Sequence, residues 1–339
     1  MGIDLDDRYI FDITDDTGMF QHAVSGIPDP SEGYTTDDNA RALIAAEMLY
    51  IRSPEKKYAD LMRKYMGFML YAQKDRWFRN FMGYDRRFLE KRGSEDCFGR
   101  CICALGFTMA QNGLPQSVYD CAGKLLRHTY SSCSSLSYLK GKAYAAIGLA
   151  LWGCADAHPA ADMLGGSLVD AYTQHDSESW HWFKDKVTYC SAVLPLALFM
   201  LHEKTGKKEY LKVGLESLCF LLKWTMADGY FKPVGCSGWF EKGGEPAEYD
   251  GQPVEPCGMM LACLKAYALT GKSEYRDFAK KAFMWYHGQN IAGINMIDSE
   301  TGGCRDGILK SGVNKNEGAE SIVCYIISSI AAENASLFD

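Results

Sequence analysis

Two near-identical joints, TGKKEY at 205–210 and TGKSEY at 270–275, each separate two stretches whose apolar residues recur at helical spacing, and SPEKKY at 53–58 is a looser copy. NGLPQSVY at 112–119 is looser still. Joints this short make their two helices antiparallel neighbours, so the repeating unit is a helical hairpin with one inner and one outer helix. The helical pattern covers 36–52, 55–73, 95–112, 115–129, 137–155, 159–174, 187–204, 207–226, 252–270, 273–288 and 317–334, with a weaker candidate at 16–25, while alternating strand patterns are nearly absent. Twelve helices make six hairpins. The links from an outer helix to the next inner one are long, at 74–96, 175–186, 227–252 and 291–320, and all enter an inner helix at its N-terminal end. Long links on one side only predict a closed ring: an all-α (α/α)6 toroid, a single domain over 1–339, with its links gathered on one rim.

Composition narrows the function classes. The chain of 339 residues is 47% hydrophobic and 23% charged, with a formal net charge of −7. That balance supplies a large core and argues against a phosphate-tracking nucleic-acid surface or an anionic membrane surface. No apolar run approaches the roughly 18 residues of a spanning helix. The start, MGIDLDDRYIFD, lacks the basic-then-apolar order of a secretion signal, so a cytoplasmic location is expected. Thirteen cysteines include Cys101, Cys103, Cys190, Cys219, Cys263 and Cys324 in apolar helical stretches. With no paired CxxC spacing, they read as small buried hydrophobes in a reducing compartment.

Counting 20 residues back from each joint tyrosine lands on Asp38 from Tyr58, Cys190 from Tyr210 and Glu255 from Tyr275. Asp38 and Glu255 are thus expected at equal depth on two inner helices. Counting from the looser joint falls just beyond Glu95 and Asp96, and the last inner helix opens with Glu317 and Glu320. Carboxylates in a first helical turn also serve as caps and dipole partners, so TTDDNA reads equally as a Thr36 cap followed by two acids. Neighbouring positions on a helix point about 100° apart, so Asp37 and Asp38 cannot share one task. The repeat assigns Asp38 to the cavity and Asp37 to capping or bracing. Opposed carboxylates suit glycoside hydrolysis, in which one group protonates the leaving oxygen and another activates water or attacks the sugar. The catalytic candidates are Asp38 with Glu255 or Glu317 opposite, then Glu95, Asp96 and Asp37.

Arginines and link aromatics, which suit sugar hydroxyls and C–H faces, supply the binding candidates. These are Tyr34, Arg41, Asp85, Arg86, Trp180, His181, Trp239, Gln252 and Glu320. His181 is the one histidine at a promising place for a sugar epimerase, which would want two facing each other. DDNAR is not the magnesium-holding DDxxD pattern, and no HExxH, phosphate loop or dinucleotide fingerprint is present, so no metal or cofactor is expected.

GYTTDDNARALI, NFMGYDRRFLEKRGSEDCFGR followed by ALG, and GVNKNEGAESIVCYIIS resemble a bacterial group of the six-hairpin glycosidase superfamily. Its members are often encoded beside, or fused to, glycosyltransferases or mannoside-processing proteins. The blocks span positions 33 to 328. The resemblance implies an (α/α)6 barrel with a glycan site at the inner-helix N-termini, lined by Asp37, Asp38, Asp85, Arg86, Glu95, Asp96, Glu317 and Glu320. Adjacent aspartates also resemble those of bacterial endo-mannanases of this fold, without carrying over their catalytic roles. The expected function is that of a glycoside hydrolase acting on an oligosaccharide or polysaccharide, with a glycan-binding accessory protein and a sugar epimerase or isomerase as alternatives.

Overall fold

The structure, a computed structural model, describes residues 3–226 and 228–338. A one-turn helix, α1 (Tyr9–Asp12), precedes eleven longer ones: α2 (Thr36–Arg52), α3 (Lys56–Ala72), α4 (Glu95–Ala110), α5 (Gln116–Thr129), α6 (Leu139–Trp152), α7 (His158–His175), α8 (Val193–Thr205), α9 (Lys208–Thr225), α10 (Val254–Thr270), α11 (Ser273–Met284) and α12 (Ala319–Asn334). The even-numbered helices pack side by side in order, and α12 returns to α2, so the inner ring is closed. Helices α3, α5, α7, α9 and α11 each pack outside the inner helix that precedes them, and α1 lies against α12. The fold is an all-α (α/α)6 toroid.

The repeated joints have one geometry. Helices α8 and α10 end at Gly206 and Gly271, with φ of 69° and 70°, a left-handed conformation that only glycine adopts freely. The glycine N–H bonds to the carbonyl four residues back at 2.8 Å in both. Thr205 and Thr270 each return a hydroxyl to the carbonyl four residues earlier and accept the next lysine's N–H. Tyr210 and Tyr275 then bury their rings at the start of the outer helices.

Two differences from the sequence reading matter. Residues 16–25 are not a helix: the side chain of Asn39, on α2, accepts the N–H of Met19 and donates to its carbonyl, taking the backbone groups a helix would need. The sixth hairpin therefore has only α1 as its outer element. Helix α8 begins at Val193 rather than near 187, because Lys186–Val187 pair antiparallel with Phe240–Glu241 and Cys190 turns the chain with φ of 47°. A second pairing, Tyr34–Thr35 with Phe81–Met82, ties the entry of α2 to the first long link. These pairings knit the links into a collar on the N-terminal rim. Among the described residues no helix is long and apolar enough to cross a membrane. The thirteen cysteines are all free, mostly buried, with Cys219 exposed on α9 and Cys190 just outside α8.

Candidate active site

The inward stripes of the inner helices follow helical spacing: 37, 41, 44 and 48 on α2; 96, 100, 103 and 107 on α4; 140, 144, 147 and 151 on α6. Their first positions line a cleft of 630 Å³ at the N-terminal rim, with Asp37, Asp96, Lys140, Tyr189 and Ser191 in its wall. Deeper positions line an apolar lumen of 470 Å³ beneath it.

Thr35, rather than Thr36, caps α2, its hydroxyl accepting the N–H of Asp38 at 3.2 Å. The inward stripe of α2 runs through 37, 41, 44 and 48, one position off the one the repeat assigned. Asp37 lines the cleft, whereas Asp38 is buried, 5% exposed, and lines neither cavity. The Asp38 carboxylate accepts from Thr35 Oγ1 and from Arg41 Nη2 at 2.6 Å. Arg41 reaches across to Glu320 on α12 with its other terminal nitrogen, at 2.5 Å. Burial pushes the Asp38 carboxyl up to about 7, with Arg41 opposing the rise and Asp37 adding to it.

Glu255, on α10, is buried to the same degree and accepts the backbone N–H of Cys190. Burial raises it too to about 7, against the pull of that hydrogen bond and of Lys140. Asp38 and Glu255 therefore share burial and a raised proton affinity, on helices separated around the ring by α12. Asp96 accepts from the Tyr189 hydroxyl. Lys140 Nζ sits 3.9 Å from the Tyr189 ring centroid and bonds Thr188 Oγ1 at 2.7 Å, and its burial lowers its proton affinity. The Cys190 thiol, 2.7 Å from the Tyr144 hydroxyl, is pushed up to about 11 by burial and stays protonated at neutral pH. Groups poised near neutrality beside a walled cleft are the usual equipment of general acid–base chemistry.

Other expected residues have structural tasks. Glu95 borders the cleft, but its carboxylate accepts the N–H groups of Ser137 and Tyr138 and the Ser137 hydroxyl, fixing the entry to α6. Those hydrogen bonds outweigh its burial and lower its proton affinity. Glu317 is buried outside both cavities against the last link, accepting from Thr301 at 2.7 Å. Tyr34 is buried against Phe20 and donates to Asp15. Trp180 is buried against Phe220 and Phe240, its indole N–H on the Lys184 carbonyl. Asp85 and Arg86 are exposed, Arg86 pairing with Asp16 at 2.8 Å. His181 lies in an outer groove with Glu209 and Lys212, bonded to Asp176 at 2.7 Å, while its chain neighbour Trp182 lines the cleft. Trp239 is half-buried behind the cleft residue Tyr189, ring centroids 6.3 Å apart, and Gln252 is half-buried just before α10.

Lys140, Tyr189 and Ser191 in the cleft, and Arg100 and Tyr144 in the lumen beneath it, are not among the residues expected from the carboxylate pattern. The signal was there in Asp37–Arg41, Asp96–Arg100 and Lys140–Tyr144, three polar pairs at four-residue spacing at successive inner-helix starts. The exposed rings at the cleft are Phe81 and Tyr138. Among the described residues no group of three or more His, Cys, Asp or Glu side chains is arranged to hold a metal ion.

No protein-family model matches the chain, and no curated protein matches it in sequence. Solved structures do match in shape. A sugar epimerase from a ruminal bacterium superposes with a TM-score of 0.74 at 12% identity, covering 99% of this chain and 97% of that one. A D-mannose isomerase gives 0.72 at 12% identity, over 95% and 94%. An alpha-1,6-mannanase from Salegentibacter gives 0.66 at 14% identity, over 96% of each chain. An inactive variant of that mannanase, with two adjacent aspartates changed to alanine, is known in complex with alpha-1,6-mannotetrose. At these identities the likeness shows the toroid and nothing finer.

Proposed function

We propose that the protein is a carbohydrate-active enzyme that hydrolyses glycosidic bonds in an oligosaccharide, with mannose-containing glycans the first to try. The observation that carries this reading is the division of the adjacent aspartates. Asp37 stands in the cleft wall, while Asp38 behind it is buried with a proton affinity near neutrality and clamped by Arg41. Asp96 faces the same cleft from α4, so two carboxyl groups on neighbouring inner helices flank the space. In the proposed reaction one of this pair protonates the departing glycosidic oxygen. The other takes a proton from the attacking water or attacks the sugar itself. Asp38 and Glu255 act behind them, setting the charge at the cleft floor. Phe81 and Tyr138 offer ring faces to the sugar. Fold neighbours that include a mannanase inactive without two adjacent aspartates support the reading.

The epimerase and isomerase among the fold neighbours favour a second reading, proton transfer at a sugar carbon. No histidine lines this cleft, so Lys140 or Tyr189 would have to move the proton. Incubation of the wild type with a panel of mannose-containing oligosaccharides, and separately with free sugars, decides between them. Hydrolysis predicts reducing-end release that falls by about 100-fold or more in Asp37→Asn and in Asp96→Asn, with glycan binding retained. Conversion of a free sugar without bond cleavage overturns it in favour of epimerisation. Binding without turnover overturns it in favour of an accessory role.

A further inference from the structure

The apolar lumen is not explained by chemistry at the cleft above it. Its wall is mainly apolar, with Met48, Phe107, Leu151, Met200 and Leu264 spread along the inner helices toward their C-terminal ends, where Lys265 also lines it but is paired with Glu203 at 2.9 Å. A volume of 470 Å³ falls within the range of about 300–1,000 Å³ typical of small-ligand cavities. Protein interiors ordinarily close to near-crystalline density, so a core that keeps such a space is built around it.

The upper end of the lumen carries a charge. Arg100 is only 4% exposed, and among the described residues its guanidinium makes no hydrogen bond or ion pair; its Nε is fully enclosed without a partner. It lies 4.5 Å from the Tyr144 ring centroid. Arg41, on the same lumen wall, is by contrast satisfied by Asp38 and Glu320. A buried guanidinium without an anion is costly, and the fork geometry of its N–H groups matches a carboxylate or phosphate.

We propose that the lumen binds a single-chain anionic amphiphile, a medium-chain fatty carboxylate, with its head on Arg100 and its tail along the inner-helix stripes toward the C-terminal mouth. The site stands apart from the cleft's chemistry and does not depend on it.

Gly258 supplies a clean control. It lines the lumen, and a Cβ there would meet Ala192 Cβ at 3.7 Å and Cys190 Sγ at 4.0 Å, ordinary contacts that leave the backbone in place. Calorimetric titration with decanoate, decanol and inorganic phosphate tests the proposal on wild type, Arg100→Met and Gly258→Leu. Saturable decanoate binding by wild type, weakened by about tenfold or more in Arg100→Met while decanol binding persists, is expected. Gly258→Leu should lose both. Thermal unfolding should show Arg100→Met no less stable than wild type, since it removes an unpaired buried charge. Absence of saturable decanoate binding overturns the proposal, as does equal binding by Arg100→Met. Phosphate binding as tightly as decanoate, with decanol inert, overturns the tail and leaves an anion site alone.

Discussion

Asp38 and Glu255 each hold a carboxyl group whose proton affinity is raised by burial to about 7. Their unfolded values are about 4, so between those limits the folded chain keeps protons that the unfolded chain releases. Stability from these two groups is therefore fully present below about pH 4 and is lost as pH rises toward 7. Urea midpoints at pH 5 and pH 8 should show the fall, and Asp38→Asn with Glu255→Gln should flatten it by an amount on the order of 1–3 kcal/mol per group. A wild-type stability that rises across this range would show that the carboxylates are stabilised as anions. At this scale the sequence was only partly legible. The repeat placed Asp38 and Glu255 at matched depth, and the structure buries both. The joint count gives depth and not phase, and neighbouring positions on a helix point about 100° apart, so it could not tell which of the two aspartates faces inward. The inward stripe through 37, 41, 44 and 48 puts Asp37 in the cleft and Asp38 behind it.

Between elements, the tightest contact is α4 against α6. A Cβ at Gly106 would lie 2.0 Å from the Gly148 carbonyl oxygen, and one at Gly99 would lie 2.4 Å from that of Gly141. Two glycine pairs two helical turns apart let these backbones touch. Gly106→Ala should therefore cost about 3 kcal/mol or more, beyond ordinary overpacking, because rigid backbone must move. Gly166→Ala, at a position on α7 with nothing within 4 Å, should gain about 0.5–1 kcal/mol. Chemical denaturation of both variants checks the contrast. The helices themselves were legible because their joints repeat, and most expected bounds fall within two residues of those observed. The start of α8 was not, since 187–192 has an apolar pattern that suits helix and strand alike, and its pairing partner lies some 55 residues away in sequence at Phe240–Glu241. Pairing at that range leaves no local trace.

For the whole molecule, closure of the ring rests on one seam, α12 against α2. Ion pairs stand at both of its ends, Arg41–Glu320 at 2.5 Å near the cleft and Arg52–Glu333 at 2.9 Å near the opposite rim. Deletion of residues 319–339 should expose the apolar faces of α2 and α10 and abolish cooperative thermal unfolding, read by circular dichroism. The same closure brings Ile3 and Phe338 to one surface groove. A ring of hairpins whose ends meet has no privileged first hairpin. A circular permutant that opens between Gly206 and Lys207 and joins the original ends by a short flexible linker should close the same toroid and unfold as one unit. Hairpin order along the gene is then a matter of history, and the neighbours around the ring are what the physics requires.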